Sequence, residues 1–171
     1  MQTSAALAAV ALVIAAACGG DKTGSGSAEG YLLDMARIHG NAHEVAEGIE
    51  SPRFEDDATT EEIKQTLINH LEFVHEENRK FLADIERLDP PEEVTTEHAR
   101  YIAAMRPALA ASEQFLAEIR ESDSRADLGE VFSGDDPTED LVFEALQACS
   151  AIQAIANARE VEIQLYCSQL Y

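Results

Sequence analysis

From Ala28 to Glu50 the apolar residues Met35, Ile38, Ala42, Val45 and Ile49 recur at steps of three and four. That spacing draws one stripe along a helix. SPRFEDDAT breaks it with a proline and acids, and a second helix is predicted from Thr60 to Leu88. Thr59 with Glu62 three residues later forms a capping box, in which each side chain satisfies a backbone N–H that the helix leaves open. The second stripe reads Ile63, Leu67, Leu71, Val74, Asn78, Phe81, Ile85 and Leu88, with the amide of Asn78 set in an apolar row.

LDPPEE is a compact stop and restart. Asp89 is the expected cap, Glu92 stands three residues on, and proline is tolerated in a first turn. A third helix should carry Val94, His98, Tyr101, Ile102, Met105, Leu109, Phe115, Leu116 and Ile119, ending near Ser122. Pro107 inside it removes a backbone donor and predicts a kink. SDSRADLGEVFSGD is the longest connection, with room for a short helical turn at RADLGEVF. DPTEDLVFEAL then repeats the start chemistry, with Asp136 as cap, Pro137 first and Glu139 three past the cap. The fourth stripe is Val142, Ala145, Cys149, Ile152 and Ala156. No strand pattern precedes residue 160. The expected class is all-α: an up-down-up-down four-helix bundle with a short extended C-terminal tail.

Ahead of the helices stands AAVALVIAAACGGDKTGSGS. Its apolar run has the length of a signal-peptide core and is too short to span a membrane. The small residues Ala15, Ala16 and Ala17 precede Cys18, and a flexible Gly–Ser spacer follows. On these features the segment resembles a bacterial lipoprotein signal. Two details differ from the usual pattern: Ala15 stands where leucine is common, and MQTS carries no Lys or Arg. In that family the cysteine becomes the first mature residue and its sulfur carries a diacylglycerol. The resemblance therefore implies lipidation at Cys18, a signal peptide over 1–17, a linker over 18–27 and a helical domain over 28–171. It also implies an extracytoplasmic protein anchored to the cell envelope.

The charge sharpens this picture. The chain holds 33 acidic and 12 basic residues, a formal net charge of −21. Such a surface repels nucleic acid and anionic headgroups, so membrane attachment must come from lipid. There is no Trp and aromatics make up 6%, which is poor material for a carbohydrate-stacking platform.

Export would expose Cys149 and Cys167 to oxidising conditions, where a pair normally bonds. One straight helix between them would hold them about 27 Å apart, whereas a disulfide needs Cα atoms within about 7 Å. VEIQLYC alternates Val161, Ile163, Leu165 and Cys167 against Glu162, Gln164 and Tyr166, an extended pattern. The fourth helix should therefore end within 157–160 and the tail should return along it.

Five histidines are the remaining chemistry. His39 and His43, one turn apart, could join His70 of the second helix in a three-nitrogen set of the kind that holds zinc, with Glu47 or Glu72 as an oxygen donor. A hairpin centred near Glu55 would bring His39 level with Leu71 and His43 level with Leu67. His39 lies about 80° and His43 about 120° from the stripe centre, which favours solvated or boundary histidines over ligands. Glu72 and His75 match half of a di-iron carboxylate pattern, but no second Glu-x-x-His exists. Phosphate loops, nucleophile elbows and HExxH motifs are absent from the sequence. No enzyme constellation is present, and no cofactor is expected unless the histidines bind zinc or another divalent metal. The expected role is binding or interaction, on exposed helical surface and acidic loops.

Overall fold

The computed structural model describes residues 27–133 and 138–167. Among them the protein is all-helical, with five helices and no strand. Helix α1, Ala28–Glu47, begins at Ser27, whose side chain accepts from the Gly30 N–H. Helix α2, Thr60–Glu86, carries the expected capping box: Thr59 and Glu62 bond reciprocally.

Helix α3, Thr95–Glu121, starts later than Asp89 would set it, and Val94 at its cap makes no side-chain capping bond. The two prolines explain the delay. Each biases the residue before it away from helical backbone. The chain instead makes a separate turn in which the N–H groups of Val94 and Thr95 both donate to the Pro91 carbonyl. This turn drives Val94 fully into the core. Further along, α3 continues through Pro107, which is exposed.

RADLGEVF lies within a full helix, α4, Arg125–Ser133. Asp127 accepts from the Asp123 and Ser124 backbones while its own N–H donates to the Ser124 hydroxyl. Helix α5, Glu139–Ala158, closes the helical part. The expected Asp136 cap and Pro137 lie outside the described residues.

Helix α1 packs on α2, α2 on α3, and α3 on both α5 and α4. Tyr31, Leu32, Met35, Phe81, Ile85, Tyr101, Met105, Cys149 and Ile152 form the main core. By length and composition α5 could cross a membrane; here Ala145, Ala148, Cys149, Ile152 and Ala156 turn its core face inward. At the far end Phe132 of α4 meets Phe115 of α3 edge to face at 5.3 Å. Arg106 pairs with Glu86 and Arg120 with Glu72, tying α3 to α2; Arg100 pairs with Glu144 of α5. These pairs are largely exposed, so each is worth about 0–1 kcal/mol and serves alignment more than stability.

The tail turns back as the alternation demands. Helix α5 ends at Ala158, and the N–H groups of Glu160 and Val161 return to the carbonyls of Asn157 and Ala156. That pair of bonds is a Schellman stop. Glu160 occupies its left-handed position, with φ 57°. Cys149 and Cys167 then stand at disulfide distance, with sulfurs 2.06 Å and Cα atoms 5.7 Å apart. Leu165 is buried, and Val161 and Ile163 pack on the core, while Glu162 and Gln164 face out. Tyr166 departs from its expected side. It stacks on His43 of α1, with ring centroids 4.0 Å apart.

Candidate binding groove

The histidines do not converge. His39 is fully buried, set edge to face on Phe81 at 5.1 Å and stacked with Tyr101 at 5.9 Å. Neither of its ring nitrogens has a hydrogen-bond partner. Burial alone pushes its pKa down to about 4, so at neutral pH it is an uncharged core ring. His43 is half-buried under Tyr166, with Nε2 3.5 Å from Glu47. His70 lines a groove on α2. Among the described residues no group of three or more His, Cys, Asp or Glu side chains could hold a metal ion.

The expected set of His39, His43 and His70 is thus not assembled, and the reason is register. As far as His39, α1 turns Tyr31, Leu32, Met35, Ile38 and His39 inward together. That face carries His39 to Phe81 rather than to the level of Leu71. His98 is buried as its stripe position implied, and its Nδ1 bonds the Tyr31 hydroxyl at 2.9 Å. Burial lowers the His98 pKa and raises that of Tyr31, so both stay neutral. His75 Nδ1 lies 2.8 Å from the Ser112 oxygen, and the Ser112 hydroxyl donates to the Leu109 carbonyl. These contacts tie α2 to α3.

What the helices do build is a groove. Beyond His39, α1 buries no residue fully, and neither does α2 before Phe81. Between these two stretches lies a half-open cavity of about 500 Å³. Its floor is apolar: Ile38, Ala42, Val45 and Ile49 from the α1 side, Leu71, Val74 and Phe81 from α2. Asn41, His70 and Asn78 also line it. None of these three side chains makes a hydrogen bond among the described residues. A cavity of this size, mostly apolar with a few available polar groups, has the anatomy of a ligand site.

Glu77 and Asp84 stand at the edge, held by Lys80 and Arg87 respectively. Asn78 was visible in the sequence as a polar interruption of a core stripe. The groove itself was not, because periodicity gives the direction of a face but not whether a neighbour reaches it.

No family model, curated protein or solved structure matches the chain.

Proposed function

We propose that this chain is a lipid-anchored binding module of the bacterial cell envelope. Its domain is an up-down-up-down four-helix bundle of α1, α2, α3 and α5, with α4 inserted in the last connection. Cys18 carries the lipid, and the Gly–Ser spacer lets the domain stand off the membrane. The Cys149–Cys167 pair suits an oxidising compartment, and the acidic surface suits a partner other than nucleic acid or anionic lipid. The module binds rather than catalyses, and its binding surface is the groove between α1 and α2.

The observation that carries the reading is that groove: an apolar floor open to solvent, with Asn41, His70 and Asn78 left without partners inside it. Two measurements test it. Cys18→Ser should move the protein from membrane to soluble fractions, and unchanged membrane retention refutes the anchor. Nile red, a neutral apolar dye, should brighten on the folded protein and stop doing so when Ala42→Leu and Ala46→Leu fill the groove. Dye binding that survives the filling refutes the groove as the site.

A further inference from the structure

We propose that α1 is an acid-released arm: protonation of buried His39 favours a state in which α1 leaves α2 and α3 while the rest of the domain stays assembled.

The way α1 is held sets the weak point. Histidines sit in its ring contacts with other elements. Tyr31 meets His98 of α3, His39 meets Phe81 of α2 and Tyr101 of α3, and His43 stacks on Tyr166 of the tail. Among the described residues no ion pair joins α1 to another element; Arg37 pairs with Asp34 and His43 with Glu47, all within α1. The other helices are cross-tied. Arg106 and Arg120 reach from α3 to α2, and Arg100 reaches α5. Lys64 of α2 donates to the Ser122 carbonyl, and the disulfide secures the tail. Leu116, Ile119 and Leu128 are buried outside the core that α1 joins. Against acid, α1 relies on the burial of Tyr31, Leu32, Met35 and Ile38.

The three histidines do not respond alike. His43 Nε2 stands 3.5 Å from Glu47, so its protonated ring keeps a partner. His98 bonds the Tyr31 hydroxyl through Nδ1; a protonated ring can donate there, and the tie survives. His39 has no such outlet, being fully buried with both ring nitrogens unpartnered. The surrounding elements bring it no counter-charge. Along α2 beside Phe81, Glu77 is held by Lys80 and Asp84 by Arg87. Along α3 beside Tyr101, Arg100 holds Glu97 and Glu144 of α5. On α1 itself Glu44 and Glu47 are exposed, as are Glu160 and Glu162 near the tail. Burial alone lowers the His39 pKa to about 4. A buried unpaired charge is costly, and it is relieved once the ring meets water. Only α1 has to move for that, since beyond His39 it buries no residue fully.

The sign follows from the burial. With α1 open the ring regains the ordinary value near 6.5, so the open state takes the proton first as pH falls. The closed arm is fully favoured above that value. Between pH 7 and pH 4 the open-to-closed ratio rises about a hundredfold through His39. Loss of carboxylate charge acts the other way, by relieving self-repulsion of the compact state, so the effect is read against a His39 variant. Release also withdraws Ile38, Ala42, Val45 and Ile49, the α1 side of the groove.

Amide exchange of the full-length chain in phosphatidylcholine nanodiscs tests the arm. Rates over 30–43 are corrected for the intrinsic pH dependence of exchange. Their gain from pH 7 to pH 4 should be about a hundredfold larger in the parent than in His39→Phe. His39→Leu, smaller at the same place, should remove the response equally, and His43→Gln should leave it intact. At pH 4 the α1 amides should exchange faster than those of α3 and α5. Their urea dependence should be shallower, because α1 alone exposes less surface than the whole domain. An acid response that persists in both His39 variants, or that vanishes in His43→Gln, overturns the assignment to His39. Identical rates and urea slopes in α1 and α5 overturn the arm, because α1 then opens only with the whole domain.

Discussion

Gln153 of α5 holds Leu165 of the tail as a neighbouring strand would. Its Oε1 accepts from the Leu165 N–H at 2.7 Å, and its Nε2 donates to the Ile163 carbonyl at 3.0 Å. One side-chain amide thereby satisfies two backbone groups of a segment that has no ladder of its own. Gln153→Leu keeps the bulk and removes both bonds. It should cost about 1–3 kcal/mol, since each bond is worth about 1 kcal/mol and half-buried partners are left unmet. Hydrogen exchange at the Leu165 amide should accelerate before any amide of α5 does. An unchanged Leu165 rate would mean that the disulfide alone fixes the tail.

The disulfide closes the loop that the clamp sits in. Cys149 and Cys167 are 18 residues apart in sequence, and a loop of that size predicts about 3 kcal/mol of stabilisation from the unfolded chain. Reduction, or Cys167→Ala with Cys149→Ala, should lower the unfolding free energy by about that amount. The loss should appear first as faster exchange over 161–167. Loss of α1 and α2 protection at the same rate would contradict a local role for the bond.

Buried His39 makes stability depend on pH with a definite sign. Its folded pKa, about 4, lies below the ordinary value near 6.5. The unfolded chain therefore binds the proton first as pH falls. Stability contributed by the neutral ring is complete above the unfolded value and is lost between it and the folded one. The loss amounts to about 3 kcal/mol over that window. Burial lowers the His98 pKa in the same direction, so the measurement is a difference. His39→Phe should flatten the urea-unfolding profile between pH 6.5 and 4 relative to the parent, by about 3 kcal/mol. It should also stabilise the protein at pH 7, because two ring nitrogens without partners are removed.

Glu160 sits at a left-handed φ of 57°, where a side chain costs about 1–2 kcal/mol that glycine avoids. Glu160→Gly should therefore raise the melting midpoint, offset in part by the greater freedom of glycine in the unfolded chain. A gain of about 0.5–1 kcal/mol is expected, whereas Glu160→Val, β-branched at the same φ, should destabilise.

The helical stripes were legible because each long helix buries one face, and Thr59 with Glu62 marked the start of α2 unambiguously. The tail was legible for a different reason: period-two alternation and a cysteine pair cannot both be reconciled with a continuous helix. The DPPEE turn misled because capping chemistry at Asp89 is outweighed by the backbone limits of two adjacent prolines. His39 misled because the stripe was centred on Met35 through Ile49. Adding Tyr31 and Leu32, which are fully buried, rotates the buried face of α1 toward α3 and takes His39 inside. The hairpin register failed for a related reason. The halves of α1 and α2 nearest their connection stay apart, so counting outward from the loop misplaces every pair beyond it.

Tyr166 lies against His43, which makes the tail after α5 part of the surroundings of α1. A polypeptide emerges from synthesis or a membrane pore with its N-terminus leading. Helix α1 can therefore coil early, but its His43 flank stays uncovered until α5 and the tail have followed. Contacts so distant in sequence form late, and until then the His43 flank of α1 is available to whatever receives the emerging chain.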